Sequence, residues 1–257
     1  MGMPRSTGLA ATAALAGALW VVVLTSGGFA ARVDAAGADE AGQSAGPREW
    51  LIFVDDLQTP FVETGRVREA LRTIATTLVQ DRDVATLRTV QSLGSSDPHV
   101  DGGALRASID RISGTGPSVE AISQALWQPR PNEVSQRAAR SLAVALDVVE
   151  TVWQPDTTRR AMIFMSGGYS DVDEVSAAID AVATRARSHR VTIFTLDTRT
   201  LSRPPSPEPS IGPPQWKEYW WTTRESLRQL AEATGGFLRD EQDDLPQALT
   251  AIAAIMR

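Results

Sequence analysis

A short apolar run, residues 50–54, leads directly into Asp55 and Asp56, and Thr59 follows shortly after. Carboxylate and hydroxyl oxygens are the hard ligands that divalent cations such as Mg²⁺ prefer. An unbroken apolar run of this length is typical of a strand buried on both faces, as in a parallel sheet. Open sheets of that kind bind ligands at the carboxyl ends of their strands. These residues therefore predict a binding crevice at the end of the first strand.

Ser166 follows a second apolar run, residues 161–165, at a predicted strand-to-helix turn. Serine nucleophiles of hydrolases occur at such turns, but the surrounding residues do not form Gly-x-Ser-x-Gly. The sequence has only two histidines, His99 and His189. His189 precedes a predicted strand, which places it at the opposite end of the sheet from Ser166. A hydrolase that uses Ser166 remains the alternative to a binding module, although the motif and the position of His189 argue against it.

Residues 199–222 contain six prolines together with Trp216, Tyr219, Trp220 and Trp221. We find no helical or alternating period in this segment, and we predict a long loop inserted at the same end of the sheet as Asp55. Tryptophan and tyrosine are common in the centres of protein interfaces, so the segment is a candidate partner-binding surface. In the alternative, the tryptophans pack on the edge of the sheet or cover the crevice.

The elements that must position these residues alternate between strand and helix. Strands are predicted at residues 50–54, 84–90, 161–165 and 191–196, and helices with an apolar stripe lie between and after them. Thr223 is predicted to cap the helix that follows the Trp/Pro segment. This alternation predicts an α/β fold with a doubly wound, mostly parallel sheet between two layers of helices.

Composition excludes several kinds of function. The net charge is −6 and Lys217 is the only lysine, so we expect no nucleic-acid partner. The sequence contains no cysteine, which excludes disulfides, thiolate metal ligands and cysteine nucleophiles.

The N-terminal residues predict export. An apolar segment at residues 9–24 follows Arg5, and small residues come next, so residues 1–35 are expected to be a signal peptide or an uncleaved membrane anchor. Residues 36–48 are predicted to be a flexible linker, and residues 49–257 are predicted to form the folded domain. The domain is then periplasmic or extracellular, and only an uncleaved N-terminal segment would contact a membrane.

Several short motifs occur in a characteristic order: WLIFVDDL at residues 50–57, VREA at 67–70, RAMIFMSGG at 160–168, VTIFTLD at 191–197 and LAEATGG at 230–236. Together they resemble von Willebrand factor type A domains of the kind found in exported bacterial proteins. The resemblance covers residues 50–257. It implies a three-layer α/β sandwich and a metal-ion-dependent adhesion site at the end of the first strand.

Carried over residue by residue, the resemblance implies that Asp55, Thr59 and Thr115 are the remaining metal ligands, with Mg²⁺ or another divalent cation as the ion. Two positions depart from the family pattern. Leu57 stands where the family has its first serine, and Gly167 stands where it has an aspartate. The implied site is therefore degenerate. In the alternative, Asp55 has a structural role and braces a neighbouring loop through hydrogen bonds.

We therefore expect an exported, non-enzymatic module that binds an unidentified protein at the crevice, with weak or lost metal dependence. The residues expected to contact the partner are Asp56, Trp216, Trp220 and Trp221. Strand alternation points Asp56 away from Asp55.

Overall fold

Four parallel strands form the central sheet of the part of the chain that the structure describes. The computed structural model describes residues 48–80, 82–91, 102–117, 131–153, 159–170, 173–201, 214–239 and 244–257. The strands are β1 (Arg48–Val54), β2 (Val84–Thr89), β3 (Arg159–Ser166) and β4 (Val191–Asp197), in the order β2-β1-β3-β4. Leu238 continues the sheet beyond β4 through a single parallel bridge with Thr195. Since β1 lies in the interior of the sheet, its carboxyl end is surrounded by loops from both neighbouring strands.

Six α-helices are seen among the described residues: α1 (Thr64–Thr77), α2 (Gly102–Arg111), α3 (Pro131–Thr151), α4 (Asp173–Ser188), α5 (Pro214–Glu232) and α6 (Leu245–Ile255). Two short 3₁₀-helices, Phe61–Glu63 and Thr198–Thr200, follow the ends of β1 and β4. Asp244 caps α6, since its side chain accepts a hydrogen bond of 2.8 Å from the N–H of Gln247.

The side chains of β1 alternate between two apolar cores, one on each face of the sheet. Leu51 and Phe53 pack with residues of α3, α4 and α5, whereas Trp50, Ile52 and Val54 pack with residues of α1, α2 and α6. All of β1 is buried because both faces are covered, which explains its unbroken apolar run. The predicted three-layer α/β sandwich with a parallel sheet is confirmed.

The structure corrects the predicted loop at residues 199–222. Helix α5 begins at Pro214, so residues 214–222 are helical and Thr223 lies inside the helix rather than at its N-cap. Proline is tolerated in the first turn of a helix, where its missing N–H has no partner to lose. Tyr219 and Thr223 are buried and Trp221 is exposed, so the aromatic residues follow the sidedness of a helix. Residues 202–213 lie outside the described residues.

The predicted signal peptide or anchor at residues 1–35 also lies outside the described residues, as does most of the predicted linker. Strand β1 begins at Arg48, whose guanidinium pairs with Asp83 at 2.7 Å. Within the described ranges, no helix has both the length and the apolar character that a membrane crossing requires.

Candidate functional site

The loop after β1 is held by its own hydrogen bonds. The N–H of Asp55 still pairs with the carbonyl of Met165 on β3 at 2.8 Å, as a strand residue would. The Thr59 hydroxyl donates to the carbonyl of Asp55 at 2.8 Å, and the N–H of Gln58 donates to the same carbonyl at 3.2 Å. Residues 55–59 therefore form a closed turn at the carboxyl end of the sheet.

The carboxylate of Asp55 is completely buried and accepts four hydrogen bonds. Its Oδ1 accepts from the Ser141 hydroxyl at 2.7 Å and from the N–H of Gln58 at 3.1 Å. Its Oδ2 accepts from the Tyr169 hydroxyl at 2.6 Å and from the Ser166 hydroxyl at 2.9 Å. We call Asp55, Ser141, Ser166 and Tyr169 the hydroxyl cluster.

Burial raises the pKa of Asp55 from 3.8 to about 6, because a charge in the interior loses its hydration. The hydrogen bonds from Tyr169, Ser141, Ser166 and Gln58 lower the pKa and offset part of that rise. Burial and the neighbouring Asp55 charge raise the pKa of Tyr169 well above its usual value, so its phenol remains a proton donor at physiological pH.

Three elements bring the hydroxyl donors to Asp55. Ser141 lies on the buried stripe of α3 among Ala138, Leu142 and Ala145, Ser166 is the last residue of β3, and Tyr169 lies in the loop that follows. Sequence reasoning did not assign Ser141 or Tyr169 to the site. The sequence could have indicated Ser141, because it is a hydroxyl residue inside an apolar helical stripe and a buried polar group needs a hydrogen-bond partner.

Two glycines allow the β3–α4 loop to approach its neighbours closely. A Cβ on Gly167 would lie 2.6 Å from the carbonyl oxygen of Gln58, and one on Gly168 would lie 2.0 Å from the carbonyl oxygen of Thr223. Gly168 also has a φ of +77°, a conformation that side chains disfavour. The aspartate that the resemblance expects at position 167 does not fit between these loops.

The loop at residues 114–116 packs against the same turn. The N–H and hydroxyl of Thr115 both donate to the carbonyl of Asp56, at 2.7 and 3.2 Å, and the N–H of Gly116 donates to the carbonyl of Thr59 at 2.8 Å. The Thr115 hydroxyl also accepts a hydrogen bond from the Gln91 amide at 3.0 Å. The structure thus brings Thr115 to the Asp55 turn, and the main-chain carbonyls of that turn receive its hydrogen bonds.

Asp56 is buried and faces β2, on the other side of the strand from Asp55. Its Oδ1 accepts a hydrogen bond from the N–H of Val90 at 3.1 Å, and burial raises its pKa despite further bonds from Thr89 and Gln91. This geometry joins the ends of β1 and β2.

The residues present do not fit a divalent cation in this arrangement. Both oxygens of Asp55 already accept two hydrogen bonds each, and the Thr59 hydroxyl donates to a main-chain carbonyl. Leu57, where the family has a serine, belongs to the apolar core shared with α3. Among the described residues, no three or more Asp, Glu, His or Cys side chains lie together in a way that could hold a metal ion.

Ser166 is fully buried, and its hydroxyl is the donor to Asp55 and the acceptor from the N–H of Gly168 at 3.1 Å. His189 precedes β4, and its carbonyl accepts a hydrogen bond from Arg160 at the amino-terminal end of β3. A histidine there lies at the opposite end of the sheet from Ser166. His99 lies outside the described residues.

The three predicted contact tryptophans lie on α5 in different surroundings. The Trp221 side chain is 61% exposed. Trp220 is half-buried beneath the guanidinium of Arg199, 4.1 Å from the ring centroid, and Arg199 also pairs with Asp197 at 2.8 Å. Trp216 is in the first turn of the helix, and its side chain lies outside the described part of the structure.

Sequence reasoning also missed the exposed apolar pair Phe61 and Val62, which are 71% and 77% exposed. They lie on the 3₁₀-helix directly after the Asp55 turn. The sequence could have indicated this pair, because two large apolar residues follow Pro60 and lie outside the buried stripe that α1 forms with Val67, Leu71 and Ile74.

No protein-family model and no curated protein sequence matches the chain. Similar solved structures include an aerotolerance-related membrane protein from Bacteroides fragilis NCTC 9343, crystallised with multiple mutations to serine. Its TM-score is 0.47 at 12% identity, covering 80% of this chain and 97% of that one. Another is the N-terminal domain of TFIIH p34, with a TM-score of 0.42 at 10% identity, covering 81% of this chain and 97% of that one. These values are too low to assign either protein's family or role to the chain.

Proposed function

We propose that residues 49–257 form a non-enzymatic protein-binding module of the von Willebrand factor type A kind, which binds its partner at the carboxyl end of the sheet without a metal ion. The observation that carries this proposal is the distribution of exposed apolar side chains. Among the described residues, the large apolar side chains that are exposed are Phe61, Val62, Trp221 and Ile255. Phe61 and Val62 follow the carboxyl end of β1, and Trp221 lies in the first half of α5, the helix that comes after β4. Ile255 ends α6 near the amino end of the sheet, where Arg159 of β3 donates to the carbonyl of Met256.

Phe61 and Val62 sit on a rigid support. Pro60 forms a bridge with Gly116, and the N–H of Gly114 donates to the Thr64 hydroxyl at 3.0 Å. These contacts fix both ends of the 3₁₀-helix that carries the pair. An apolar pair held in place loses little conformational entropy when a partner covers it, and this favours a binding role.

Trp221 borders a groove between α4 and α5 with a volume of about 360 Å³. Val175, Ile179 and Trp221 line its apolar part, and Ser170, Ser176 and Glu225 are among its polar residues. A groove that combines three apolar side chains with polar groups around them, and that has an exposed tryptophan at its edge, suits a side chain inserted by a protein partner.

The buried polar groups beneath this surface have a structural role and do not contact the partner. The carboxylates of Asp55 and Asp56 are occupied by internal hydrogen bonds, and Ser166 donates to Asp55. They hold the loops that present the apolar side chains. The predicted N-terminal signal or anchor would place the module outside the cytoplasm, and the partner would be an exported or surface protein.

Site-specific photo-crosslinking tests the proposal. The full chain, expressed in its own cells, carries benzoylphenylalanine at position 61, 221 or 255. We expect a discrete crosslinked species at positions 61 and 221 and none at 255. The 61 crosslink should persist in EDTA and be lost when Val62 is changed to Ser, whereas Ile255→Ser should leave it unchanged. Crosslinking equal at all three positions, or absent from all, contradicts a binding face at this end.

A further inference from the structure

Tyr169 makes the shortest hydrogen bond to the Asp55 carboxylate. No ligand that the family resemblance implies corresponds to this residue. Its hydroxyl donates to Oδ2 at 2.6 Å, and its side chain is almost fully buried. Leu57 and Gly167 only remove oxygen atoms from the implied site. Tyr169 instead adds a group directly on the remaining carboxylate.

The ring of Tyr169 is fixed from two sides. The backbone N–H of Tyr169 donates to the Ser226 hydroxyl of α5 at 2.9 Å. The ring packs edge-on against Phe164, with 6.5 Å between the ring centroids. Phe164 in turn stacks on Phe53 of β1 at 5.1 Å. Rotation of the phenol away from Asp55 would break this aromatic contact in a packed core, where vacated volume is costly.

A cation on Oδ2 would require the space that the phenol occupies. Magnesium binds carboxylate oxygens at about 2.0–2.1 Å and needs an octahedral shell of oxygen ligands around it. Tyr169 and Ser166 take both accepting directions of Oδ2, and a hydroxyl that donates its proton to Asp55 directs that proton, not a lone pair, toward the site.

We propose that Tyr169 closes the Asp55 carboxylate to divalent cations, so that a phenol hydroxyl occupies the place of a metal ion beneath the binding face. Tyr169 is thus the residue that makes the site independent of metal. The proposal rests on the metal-independent part of the proposed function. Its readout is ion binding to the purified protein, which requires no partner and therefore fails or succeeds separately.

The test is Mn²⁺ titration of the full-length protein, followed by the electron paramagnetic resonance signal of free Mn²⁺. Wild-type protein should leave that signal unchanged. Tyr169→Ser removes the ring and leaves a hydroxyl, so we expect it to gain a bound Mn²⁺, which Tyr169→Ser combined with Asp55→Asn loses. Tyr219→Ser is the matched control, since Tyr219 is also buried but does not contact Asp55, and it should gain no ion.

Tyr169→Gln provides a second variant if the serine variant does not fold, because glutamine refills part of the space and offers an amide oxygen. Mn²⁺ binding by wild-type protein that Asp55→Asn abolishes overturns the proposal. A folded Tyr169 variant that binds no Mn²⁺ overturns it as well.

Discussion

At the scale of single residues, Asp55 joins parts of the chain that are far apart in sequence. Ser141 lies 86 positions away and Tyr169 lies 114 positions away, yet both donate to the same carboxylate. A buried charge is costly, and hydrogen bonds from several donors recover only part of the lost hydration. The pKa of about 6 shows that the folded protein favours the protonated form of Asp55 more than the unfolded chain does.

This raised pKa predicts how stability varies with pH. Between pH 4 and 6 the folded state binds more protons at Asp55 than the unfolded state does, so the free energy of unfolding falls as the pH rises through this window. At about 1.4 kcal/mol per pH unit, the difference between 3.8 and about 6 corresponds to roughly 3 kcal/mol at neutral pH. Urea unfolding at pH 4 to 7 measures the change.

Asp55→Asn isolates this contribution, because other carboxyl groups titrate in the same range. The difference in unfolding free energy between wild type and Asp55→Asn should change by roughly 2 kcal/mol between pH 4 and 7 in favour of the variant, since a small part of the effect is already present at pH 4. Asp147→Asn, at an exposed position of α3, is the control and should show no such trend. A difference that is flat across this range would be incompatible with a raised pKa at Asp55.

The composition of the site was only partly predictable. Asp55, Thr59 and Thr115 were expected at one end of the sheet because parallel strands end at the same edge, and the structure places them there. Ser141 and Tyr169 were missed because their role depends on which helix and which loop face Asp55. That arrangement is set by packing between distant segments, which a local sequence pattern does not record.

At the scale of elements, the loops at the carboxyl end approach one another so closely that glycine is required. Cβ atoms on Gly114 and Gly116 would lie 2.3 and 2.7 Å from the backbone of Thr59, as close as the contact that Gly167 makes with Gln58. These loops form one layer of backbone-to-backbone contacts above the hydroxyl cluster. Loop packing therefore accounts for the glycine at position 167, where the resemblance expects an aspartate.

Gly167→Asp introduces the residue that the resemblance to von Willebrand factor type A domains expects, and it should destabilise the protein instead of creating a metal site. We expect a loss of roughly 2–4 kcal/mol, since the new side chain collides with the carbonyl oxygen of Gln58 and its charge enters a buried region. Gly65→Asp is the matched control: nothing lies within 4 Å of its Cβ position, and an acidic residue suits the first turn of α1. Denaturant unfolding with and without Mg²⁺ compares the two variants.

Stabilisation of Gly167→Asp by Mg²⁺ beyond that of wild type would contradict this prediction. Wild-type stability in equal Mg²⁺ provides the baseline.

Element boundaries at α5 show where sequence patterns were misleading. Six prolines in residues 199–222 favoured a loop throughout, yet none of them lies after Pro214, and the remaining residues are compatible with a helix. Aromatic side chains obscured the helical stripe, because Tyr219 is buried and Trp221 is exposed. In contrast, α1 and the four strands were predicted well because their apolar patterns face a core directly.

At the scale of the whole molecule, two apolar cores enclose a parallel sheet whose two interior strands are β1 and β3. The fold class was predictable from the alternation of strands and helices, since each strand shows a short apolar run. The order β2-β1-β3-β4 was not, because it depends on which strands pair across long connections. Because all four strands are parallel, their carboxyl ends lie at one edge of the sheet, and Phe61 and Val62 follow the end of β1 there.

The pairing of β1 with β3 also has a kinetic consequence. Arg48 pairs with Arg159, so this pairing must close a very long loop, which makes it slow compared with the local helices. The hydroxyl cluster can form only after β3 has docked, and its contacts should therefore be absent from the folding transition state. Stopped-flow chevron measurements should show Ser166→Ala and Tyr169→Phe unfolding faster with nearly unchanged folding rates, whereas Ile52→Val should slow folding. The hydroxyl cluster would then slow unfolding without changing the folding rate, and so lengthen the lifetime of the folded protein.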